Sequence, residues 1–277
     1  MSTLIHAVVL TLDECANIRR CLASLRWCDR ICVVDSGSSD GTPEAAAVLG
    51  AEVFTRRQEG KFLISEQRNW CLDHCGFSRG DWVLFIDADE TIPDDLAPEI
   101  RKAAASDAGF DAYEMTPRYL FWGRWLKRTQ GFPNWHPRLV RAGDTRFEGG
   151  VWEHFSGGGR IGKIAVPYDH HANSKGFSDW LARHERYSDW DAERVVRFLE
   201  SGNASSLATS RKLRLRVAAA HLWPLRPPAR FAHMYFLRGG WLEGKESLVF
   251  CLLYAFYEFM IAVKIAERLR LKKGLPL

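Results

Sequence analysis

The stretch FIDADE, residues 85–90, places three carboxylates within four positions at the end of an apolar run. Asp87, Asp89 and Glu90 would repel one another unless cations compensate their charge. Two hard oxygen ligands in a D-x-D pair, with no His or Cys beside them, suit Mg²⁺ or Mn²⁺, and phosphate oxygens would complete the coordination shell. The alternative is a strand that ends in a turn, where the carboxylates cap backbone N–H groups.

Acidic and hydroxyl residues also lie at the ends of two other apolar runs. Thr11, Asp13 and Glu14 end or follow LIHAVVLT, and Asp35 ends ICVVD. Ligands of open α/β sheets bind at the carboxyl ends of the strands, where a carboxylate can accept hydrogen bonds from a ribose or a base. The sequence contains neither G-x-G-x-x-G nor G-x-x-x-x-G-K-[ST], which disfavours a Rossmann dinucleotide site and a P-loop.

The elements that would position these residues alternate between strands and helices. Apolar runs predict strands over residues 4–11, 31–35, 51–55 and 82–87. Helical spacing and turn signals predict helices after a capping Asp13, over 43–50 with Gly50 at the end, over 62–75 and to about 105. The fold class is therefore predicted as α/β, a Rossmann-like, mixed and mainly parallel sheet flanked by helices.

The character of the chain changes after residue 105. Short β-like pieces separated by Gly and Pro follow, and a long helix is predicted from Phe177. The last part is basic, aromatic and helical, with 13 Lys and Arg against four acidic residues over 201–277. Such asymmetry indicates that the tail meets an anionic surface.

Residues 248–265 are apolar except for Glu258 and Lys264. Their length is borderline for crossing a bilayer core of roughly 30 Å, and Glu258 near the middle disfavours crossing. A helix that lies in the membrane interface, flanked by Arg and Lys, fits the pattern better. Packing on the catalytic domain or on a dimer partner, and true spanning, are the alternatives.

Seven scattered cysteines argue against a disulfide framework and for a reducing compartment. Cys71 and Cys75, with His74 between them, could touch a metal, but buried thiols on a helix are the simpler explanation. The N-terminus has no basic region before its apolar run, so we interpret it as a first strand rather than a signal peptide.

Three motifs, VVDSGSSDGT at 33–42, QRN at 67–69 and FIDADE at 85–90, together resemble the family 2 glycosyltransferases. The resemblance implies an A-type glycosyltransferase fold, an inverting mechanism, and a UDP- or ADP-sugar as donor. FPNWHPRLVR at 132–141, VWEHF at 151–155 and the Phe-rich basic tail resemble a bacterial branch that contains lipopolysaccharide core glycosyltransferases. That branch adds a hexose or heptose to the inner core, so a lipid-linked glycan acceptor is implied.

The resemblance also implies a nucleotide-sugar site. Thr11, Glu14 and Asp35 would hold the base and ribose, and Arg68 would approach the donor diphosphate or nucleotide. The family often has Asn before the acidic residue that follows the first strand, here Glu14, and this chain has Asp13 at that position.

A metal-dependent enzyme with Mg²⁺ or Mn²⁺ is implied as well. Asp89 would be the principal metal ligand, and Asp87 would contact ribose or metal. Ala88 lies between them and belongs to the predicted nucleotide-sugar site. One member of the downstream pair His170-His171 could also reach the metal or diphosphate, although hydrogen-bonded loop histidines are the more ordinary explanation.

Inverting transfer needs a base that takes the proton of the acceptor hydroxyl. Glu153 is our candidate, because it lies beyond the sheet in the acceptor half, and Asp169 and Glu148 are the alternatives. Glu153 could instead be a solvated or Arg-paired edge-strand residue. The branch often has His-Glu where this chain has Trp152-Glu153.

Trp122, Trp125 and Trp135 lie in an aromatic, basic stretch and could stack on acceptor sugars or pack in a core. We predict a catalytic domain over 1–175, with a nucleotide-sugar half at 1–105 and an acceptor half at 106–175. Residues 176–277 would form a helical, basic, membrane-associating region.

The predicted location is the cytoplasmic face of the inner membrane. No nucleic-acid partner is predicted, and a second copy of the chain is among the predicted partners. One alternative function is a glycosyltransferase for another lipid-linked or polysaccharide acceptor. A second is a non-catalytic binder of nucleotide sugars or nucleic acid. Nucleotidyl transfer would need a basic, Gly-rich loop after Thr11, and that loop is acidic instead.

Overall fold

The computed structural model describes residues 4–57, 63–106, 108–149, 153–157, 159–200 and 223–277. The chain forms two compact units. The first spans Met1–Leu120 and Phe132–Ser174, and the second spans Phe121–Gly131 and Lys175–Leu277. The second unit thus includes residues 121–131 as well as those after Ser174, whereas the prediction placed the whole of 106–175 in the acceptor half.

Strands and helices alternate through the first part of the chain, as predicted. The elements up to residue 170 are, in chain order, β1 (Ile5–Thr11), α1 (Cys15–Ser24), β2 (Arg30–Asp35), α2 (Thr42–Val48), β3 (Glu52–Thr55), α3 (Ile64–His74), β4 (Trp82–Asp87), β5 (Glu90–Thr91), α4 (Leu96–Ala104), β6 (Ala112–Phe121), β7 (Arg124–Trp125), α5 (Lys127–Gln130), β8 (His136–Arg141), β9 (Arg146–Glu148), β10 (His154–Ser156) and β11 (Ile161–His170).

The main sheet of the first unit has the strand order β3-β2-β1-β4-β8-β6-β11-β5. The first four strands in this order are parallel, because each βαβ crossover returns the chain to the same edge. Strand β8 runs antiparallel between β4 and β6, which makes the sheet mixed. The predicted α/β class, with a mixed and mainly parallel sheet flanked by helices, is confirmed. Strand β9 pairs with β10 in a separate hairpin.

Strands β1 and β4 are apolar on both faces because helices cover both faces of the sheet. Ile18, Leu22 and Leu25 bury one side of α1 against the core that contains Val9 and Leu84. This burial fixes the carboxyl ends of β1, β2 and β4 at one edge, where the polar residues of the motifs follow.

Asp13 does not cap α1. Glu14 occupies the N-cap position without a side-chain cap bond, and Asp13 has a φ of 54° in the left-handed region. Its Oδ1 accepts the backbone N–H of Ser39 at 2.8 Å instead, because the loop after β1 is joined to the loop after β2. Gly50 does follow the end of α2 with a φ of 88°, as its predicted position requires.

The zinc alternative for Cys71 and Cys75 is wrong. Both thiols are buried in the core with Val8 and Phe85. His74 stacks on the ring of Trp70, and its Nδ1 lies 2.9 Å from the Trp70 carbonyl oxygen. The described ranges contain no group of three or more His, Cys, Asp or Glu that could hold a metal ion by itself.

The second unit is helical. Its elements after residue 175 are α6 (Gly176–Glu200), a 3-10 turn (Trp223–Leu225), α7 (Arg226–Ala232), a π-helical turn (His233–Leu237), a second 3-10 turn (Gly240–Glu243) and α8 (Gly244–Lys272). Phe121 and Leu126 are buried in one cluster with Met234, Phe250 and Cys251. This packing explains why residues 121–131 leave the first unit.

Helix α8 carries charged contacts on two sides. Glu258 is buried and lies 2.8 Å from Arg226 Nη2 and 2.9 Å from Arg230 Nη2. On the side that packs against α6, Lys264 Nζ lies 2.9 Å from Glu185 and 2.8 Å from Asp189. Glu258, the residue whose charge disfavours a membrane crossing, therefore forms ion pairs within this unit.

One further side of α8 stays uncovered by the described residues. Leu252, Phe256, Phe259 and Val263 recur at helical spacing and are all exposed. In the described ranges, the segment Gly240–Lys272 is long and apolar enough to cross a membrane by length and composition, with a mean hydropathy of 2.0. Only 33% of that apolar window is buried.

Candidate active site

Asp35 organises the loop after β2. Its carboxylate accepts hydrogen bonds from Thr11 Oγ1 and from the backbone N–H groups of Gly37 and Ser38, each at 2.8 Å. Burial would raise the pKa of Asp35, but the hydrogen bonds from Ser38, Thr11 and Gly37 lower it. Thr11 and Asp35 are thus brought together as predicted, and a contact with a base or ribose would have to share these oxygens.

The loops after β1 and β2 are joined by further hydrogen bonds. The backbone N–H of Glu14 donates to Thr42 Oγ1 at 2.8 Å, and that of Cys15 donates to Asp40 at 2.9 Å. Glu14 Oε2 accepts the Asn17 side chain at 2.7 Å. Thr11, Glu14 and Asp35, the residues predicted to bind the nucleotide base and ribose, therefore lie in two loops that hydrogen bonds join.

The motif QRN, at the centre of α3, connects these loops to the acceptor half. Gln67 Nε2 donates to Ser36 Oγ at 2.8 Å. Asn69 holds the backbone of Phe147, because its Nδ2 donates to the carbonyl and its Oδ1 accepts the N–H, both at 2.9 Å. One helical turn thus fixes both the loop after β2 and the hairpin β9–β10.

Arg68, between them, is buried and joins two carboxylates. Its Nη2 lies 3.3 Å from Asp87 Oδ1, and its Nη1 lies 3.0 Å from Glu153 Oε2. The guanidinium also lies over the rings of Phe85 and Phe147 at 5.7 and 5.4 Å. Arg68 therefore connects the D-x-D strand end to the predicted catalytic base.

A second buried arginine holds the other side of the D-x-D strand end. Arg138 Nη2 lies 2.9 Å from Asp87 Oδ2 and 2.7 Å from Glu90 Oε1. Glu90 is fully buried, and its Oε2 accepts the Asp87 backbone N–H at 2.9 Å. The crowded carboxylates of FIDADE thus face two arginines. Glu90 in addition caps the backbone N–H of Asp87, which is a local structural contact.

The charges around Asp87 set its ionisation. Burial would raise the pKa of Asp87, but Arg138, Arg68 and His170 lower it to about 2. For Arg138, burial would lower the pKa, but Asp87 and Glu90 raise it well above its usual value. Both oxygens of Asp87 contact arginines, so a metal bound by Asp87 would share these oxygens with Arg68 or Arg138.

Asp89 and the histidine pair lie beside this cluster. His170 Nε2 lies 3.7 Å from Asp89 Oδ2, and its Nδ1 lies 3.4 Å from Glu90 Oε1. Burial would lower the pKa of His170, but Asp89 and Glu90 raise it. His171 is held differently, with its Nε2 3.3 Å from Thr91 Oγ1. The structure therefore brings His170, but not the side chain of His171, to the acidic pair.

The donor set suits a divalent metal that is shared with a phosphate ligand. Asp89 supplies carboxylate oxygens at the strand end, and Asp87 is its neighbour in the motif. Mg²⁺ and Mn²⁺ are often held by one or two carboxylates plus substrate phosphates rather than by an all-protein cage. Ala88, between the two acids, has its side chain buried in the core.

Glu153 lies just before β10 and is almost completely buried, with a side chain 9% exposed. Within the described ranges, its Oε1 has no hydrogen-bond partner. Burial raises the pKa of Glu153, although Arg68 and Arg138 lower it in part. A raised pKa and an unpartnered oxygen suit a group that accepts a proton. The neighbouring Trp152 lies outside the described residues.

The alternative bases are placed differently. Asp169 is ion-paired with Arg118 on the neighbouring strand β6. Glu148 is well exposed and lies 3.7 Å from His154 across the hairpin. Glu153 therefore differs from both alternatives in its contact with Arg68.

The three predicted sugar-stacking tryptophans do not share one unit. Trp135 lies in the first unit, where Lys163 Nζ sits 4.8 Å from its ring centre. Trp122 and Trp125 lie in the second unit, and Lys127 Nζ sits 5.1 Å from the Trp125 ring. Only Trp135 accompanies the D-x-D cluster in the first unit.

Arg138 is the main site residue that the sequence analysis missed. It stands in HPRLVR, inside a strand whose neighbours Pro137, Leu139 and Val140 are buried. A cation at a buried strand position requires a buried anion. The buried position of Arg138 could therefore have indicated an ion pair. Its partners could not be identified from local sequence, because Asp87 and Glu90 lie about 50 residues upstream.

The low pKa of Asp87 predicts a pH dependence of stability. Because its folded-state pKa of about 2 lies below an unfolded value of about 3.9, the unfolded chain binds the proton more readily. The stabilisation is therefore complete above about pH 4 and is lost as the pH falls through about 2. Urea unfolding between these values should show a flatter decline for Asp87→Asn than for the unmodified protein, and equal slopes would contradict this.

The sequence model described as glycosyl transferase family 2 matches residues 7–166. The lipopolysaccharide core biosynthesis glycosyltransferase LpsC of Rhizobium meliloti (strain 1021) is 26% identical over 97% of this chain and 94% of that protein. An uncharacterized glycosyltransferase of Rickettsia bellii (strain RML369-C) is 36% identical over 37% of this chain and 33% of its own length. Mannosyl-3-phosphoglycerate synthase from Rubrobacter xylanophilus aligns with a TM-score of 0.46 and 17% identity, over 76% of this chain and 78% of that chain.

Proposed function

The chain belongs to glycosyl transferase family 2, and we propose that it transfers a hexose or heptose from a nucleotide-diphosphate sugar to the lipopolysaccharide core. The similarity to LpsC supports this acceptor class, because it covers almost the whole chain rather than the donor-binding half alone. The proposed donor is a UDP- or ADP-sugar, and the transfer inverts the configuration at the anomeric carbon.

One observation carries the proposal. Arg68 links Asp87, at the end of a donor-side strand, to Glu153, in the acceptor half, through contacts of 3.3 and 3.0 Å. A sugar transferase needs a diphosphate seat and a proton acceptor at a fixed separation, because its reaction breaks one C–O bond as it forms another. A buried arginine between the two groups supplies that fixed arrangement.

Glu153 is the proposed general base. Its Oε1 accepts the proton of the acceptor hydroxyl as that oxygen attacks the anomeric carbon and the bond to the donor diphosphate breaks. Its second oxygen remains on Arg68, which keeps the carboxylate oriented. Because burial raises the pKa of Glu153, the carboxylate is a better proton acceptor than an exposed glutamate.

The leaving nucleoside diphosphate gains negative charge, which cations near the strand end would stabilise. Asp89, with Asp87 as its neighbour, would hold Mg²⁺ or Mn²⁺, and such a cation supplies charge stabilisation to the diphosphate. Arg68 and Arg138 keep Asp87 ionised and oriented. Thr11, Glu14 and Asp35 remain the proposed contacts of the base and ribose.

The enzyme is further proposed to act as a peripheral protein at the cytoplasmic face of the inner membrane. Crossing by α8 would take Glu258 with Arg226 and Arg230, and Lys264 with its acidic partners, into hydrocarbon, which is unfavourable. The exposed apolar stripe of α8, formed by Leu252, Phe256, Phe259 and Val263, suits a helix that lies in the interface instead.

Binding of a nucleoside diphosphate tests the donor site. UDP or ADP with Mn²⁺, at about 100 times its Kd, should stabilise the folded protein by about 2.7 kcal/mol, because it binds only the folded state. Asp89→Ala should remove the part of the thermal shift that depends on Mn²⁺, whereas Glu148→Gln, at an exposed site, should retain it. A Mn²⁺-dependent shift that survives Asp89→Ala would contradict the metal role. Binding without sugar transfer would favour the non-catalytic alternative.

A further inference from the structure

Among the exposed apolar side chains of the second unit, four lie on the two turns that precede α8, which pack against each other, and a fifth is Trp122, whose neighbour Phe121 is buried in one cluster with Met234 of the π-helical turn. Leu237 is 80% exposed, Trp122 62%, Phe236 60%, Trp241 57% and Leu242 49%. We refer to these five residues as the apolar tip. They come from the turn between β6 and β7 and from the two short turns that precede α8, so the tip joins parts of the chain that are more than 100 residues apart.

The backbone beneath the tip is firmly held. The buried carboxylate of Glu243 accepts the N–H groups of Arg128 and Thr129 at 2.7 and 2.8 Å. Thr129 Oγ1 lies 2.6 Å from Ser247 Oγ, which ties α5 to the start of α8. The exposed side chains therefore stand on an ordered base, and their exposure does not result from a loosely attached segment.

Trp122 is also held in an uncommon backbone conformation. Its φ is 51°, in the left-handed region that bulky side chains rarely occupy. Such outliers persist only where the surrounding structure determines them, and they concentrate at functional positions. Here the conformation keeps an indole on the surface beside Phe121, on which it stacks.

The surroundings of the tip are cationic. Lys127, Arg128, Arg238 and Lys245 are exposed on the same segments. The acidic residues of these segments are engaged, since Glu243 caps α5 and Glu246 pairs with Arg124 at 3.6 Å. Segments that enter the interface of an anionic membrane typically combine Trp, Phe and Leu with Lys and Arg. Contact between two copies of this surface would instead oppose like charges.

We propose that the apolar tip, rather than the stripe of α8 alone, inserts into the interface of an anionic lipid bilayer. The cations around it bind the lipid headgroups, and the five apolar side chains enter the boundary with the acyl chains. This inference rests on the proposed membrane association and identifies the surface that carries it.

Flotation of the full chain with vesicles tests the proposal. The unmodified protein should float with phosphatidylglycerol–phosphatidylethanolamine vesicles and much less with phosphatidylcholine vesicles. The double variant Phe236→Ser, Leu237→Ser should lower the vesicle partition coefficient roughly tenfold or more, because two exposed apolar side chains are lost. Val48→Ser is the control, because Val48 is 84% exposed on α2 in the first unit. This variant should bind the vesicles as well as the unmodified protein does.

Three results would overturn the inference. The first is a double variant that floats like the unmodified protein, and the second is equal flotation on phosphatidylcholine. The third is a lower oligomeric mass of the double variant with unchanged vesicle binding, which would make the tip an interface between copies.

Transfer to a water-soluble, deacylated acceptor separates this inference from the proposed function. The double variant should retain that activity and lose transfer to a vesicle-embedded acceptor. Lack of transfer by the unmodified protein to either acceptor would contradict the proposed function, whatever the vesicles show.

Discussion

Replacing Glu153 with glutamine is expected to slow sugar transfer by about 10²–10⁴-fold, the usual contribution of a general base. The amide keeps the size of the side chain and can still accept a bond from Arg68, but it cannot take the acceptor proton. Binding of the nucleoside diphosphate should change little, because Glu153 lies in the acceptor half. Initial rates at saturating donor, together with a binding titration, separate the two effects.

Two controls accompany Glu153→Gln. Glu148→Gln removes a carboxylate from the same hairpin at a well-exposed position, and it should leave the rate near that of the unmodified protein. The unmodified enzyme should lose activity as the pH falls through the raised pKa of Glu153, because the base must be ionised. A Glu153→Gln enzyme that transfers sugar at a near-normal rate would remove Glu153 from the role and return attention to Asp169.

Replacing Arg138 with methionine is expected to lower the free energy of unfolding by roughly 3–5 kcal/mol, as for other buried ion pairs that lose one partner. The reason is that Asp87 and Glu90 share the Nη2 atom of Arg138, and Glu90 is fully buried. Urea unfolding monitored by two spectroscopic probes measures the change and checks that the transition stays cooperative.

The matched control for Arg138→Met is Arg146→Met. Arg146 pairs with Asp73 at 3.0 Å and donates to the carbonyls of Gly143 and Thr145, but its side chain is partly exposed, so the change should be clearly smaller, about 1 kcal/mol. Adding Glu90→Gln to Arg138→Met should restore part of the loss, because it removes a buried carboxylate that has lost its arginine. A loss for Arg138→Met no larger than that for Arg146→Met would contradict the central place of Arg138.

The donor half could be predicted well from the sequence because its signals are local. The buried strands β1, β2 and β4 are short apolar runs, and each ends at polar residues that the sequence analysis singled out. Thr11, Asp35 and Asp87 were therefore expected at one sheet edge before any contact was known. Asp13 failed as a helix cap because its partner, Ser39, lies in another loop, and no local pattern records that bond.

The acceptor half was less predictable because its structure depends on distant partners. The insertion of β8 between β4 and β6 cannot be read from the spacing of apolar residues, and that insertion is what brings Arg138 to Asp87. The departure of residues 121–131 into the second unit likewise depends on the packing of Phe121 against Phe250. Glu153 was found by its chemical type, but its pairing with Arg68 was not foreseen.

The hydrogen bonds of Asn69 bear on how acceptor preference could diversify. Among the described residues, the side chain of Asn69 hydrogen-bonds to the backbone N–H and carbonyl of Phe147, and every residue type except proline provides both groups. The attachment of the β9–β10 hairpin to α3 is in this respect independent of the hairpin's own side chains. Phe147 and Glu153 are tied to α3 through Arg68, but Glu148 and His154 are exposed, so substitutions at such hairpin positions can alter the surface without disturbing that attachment.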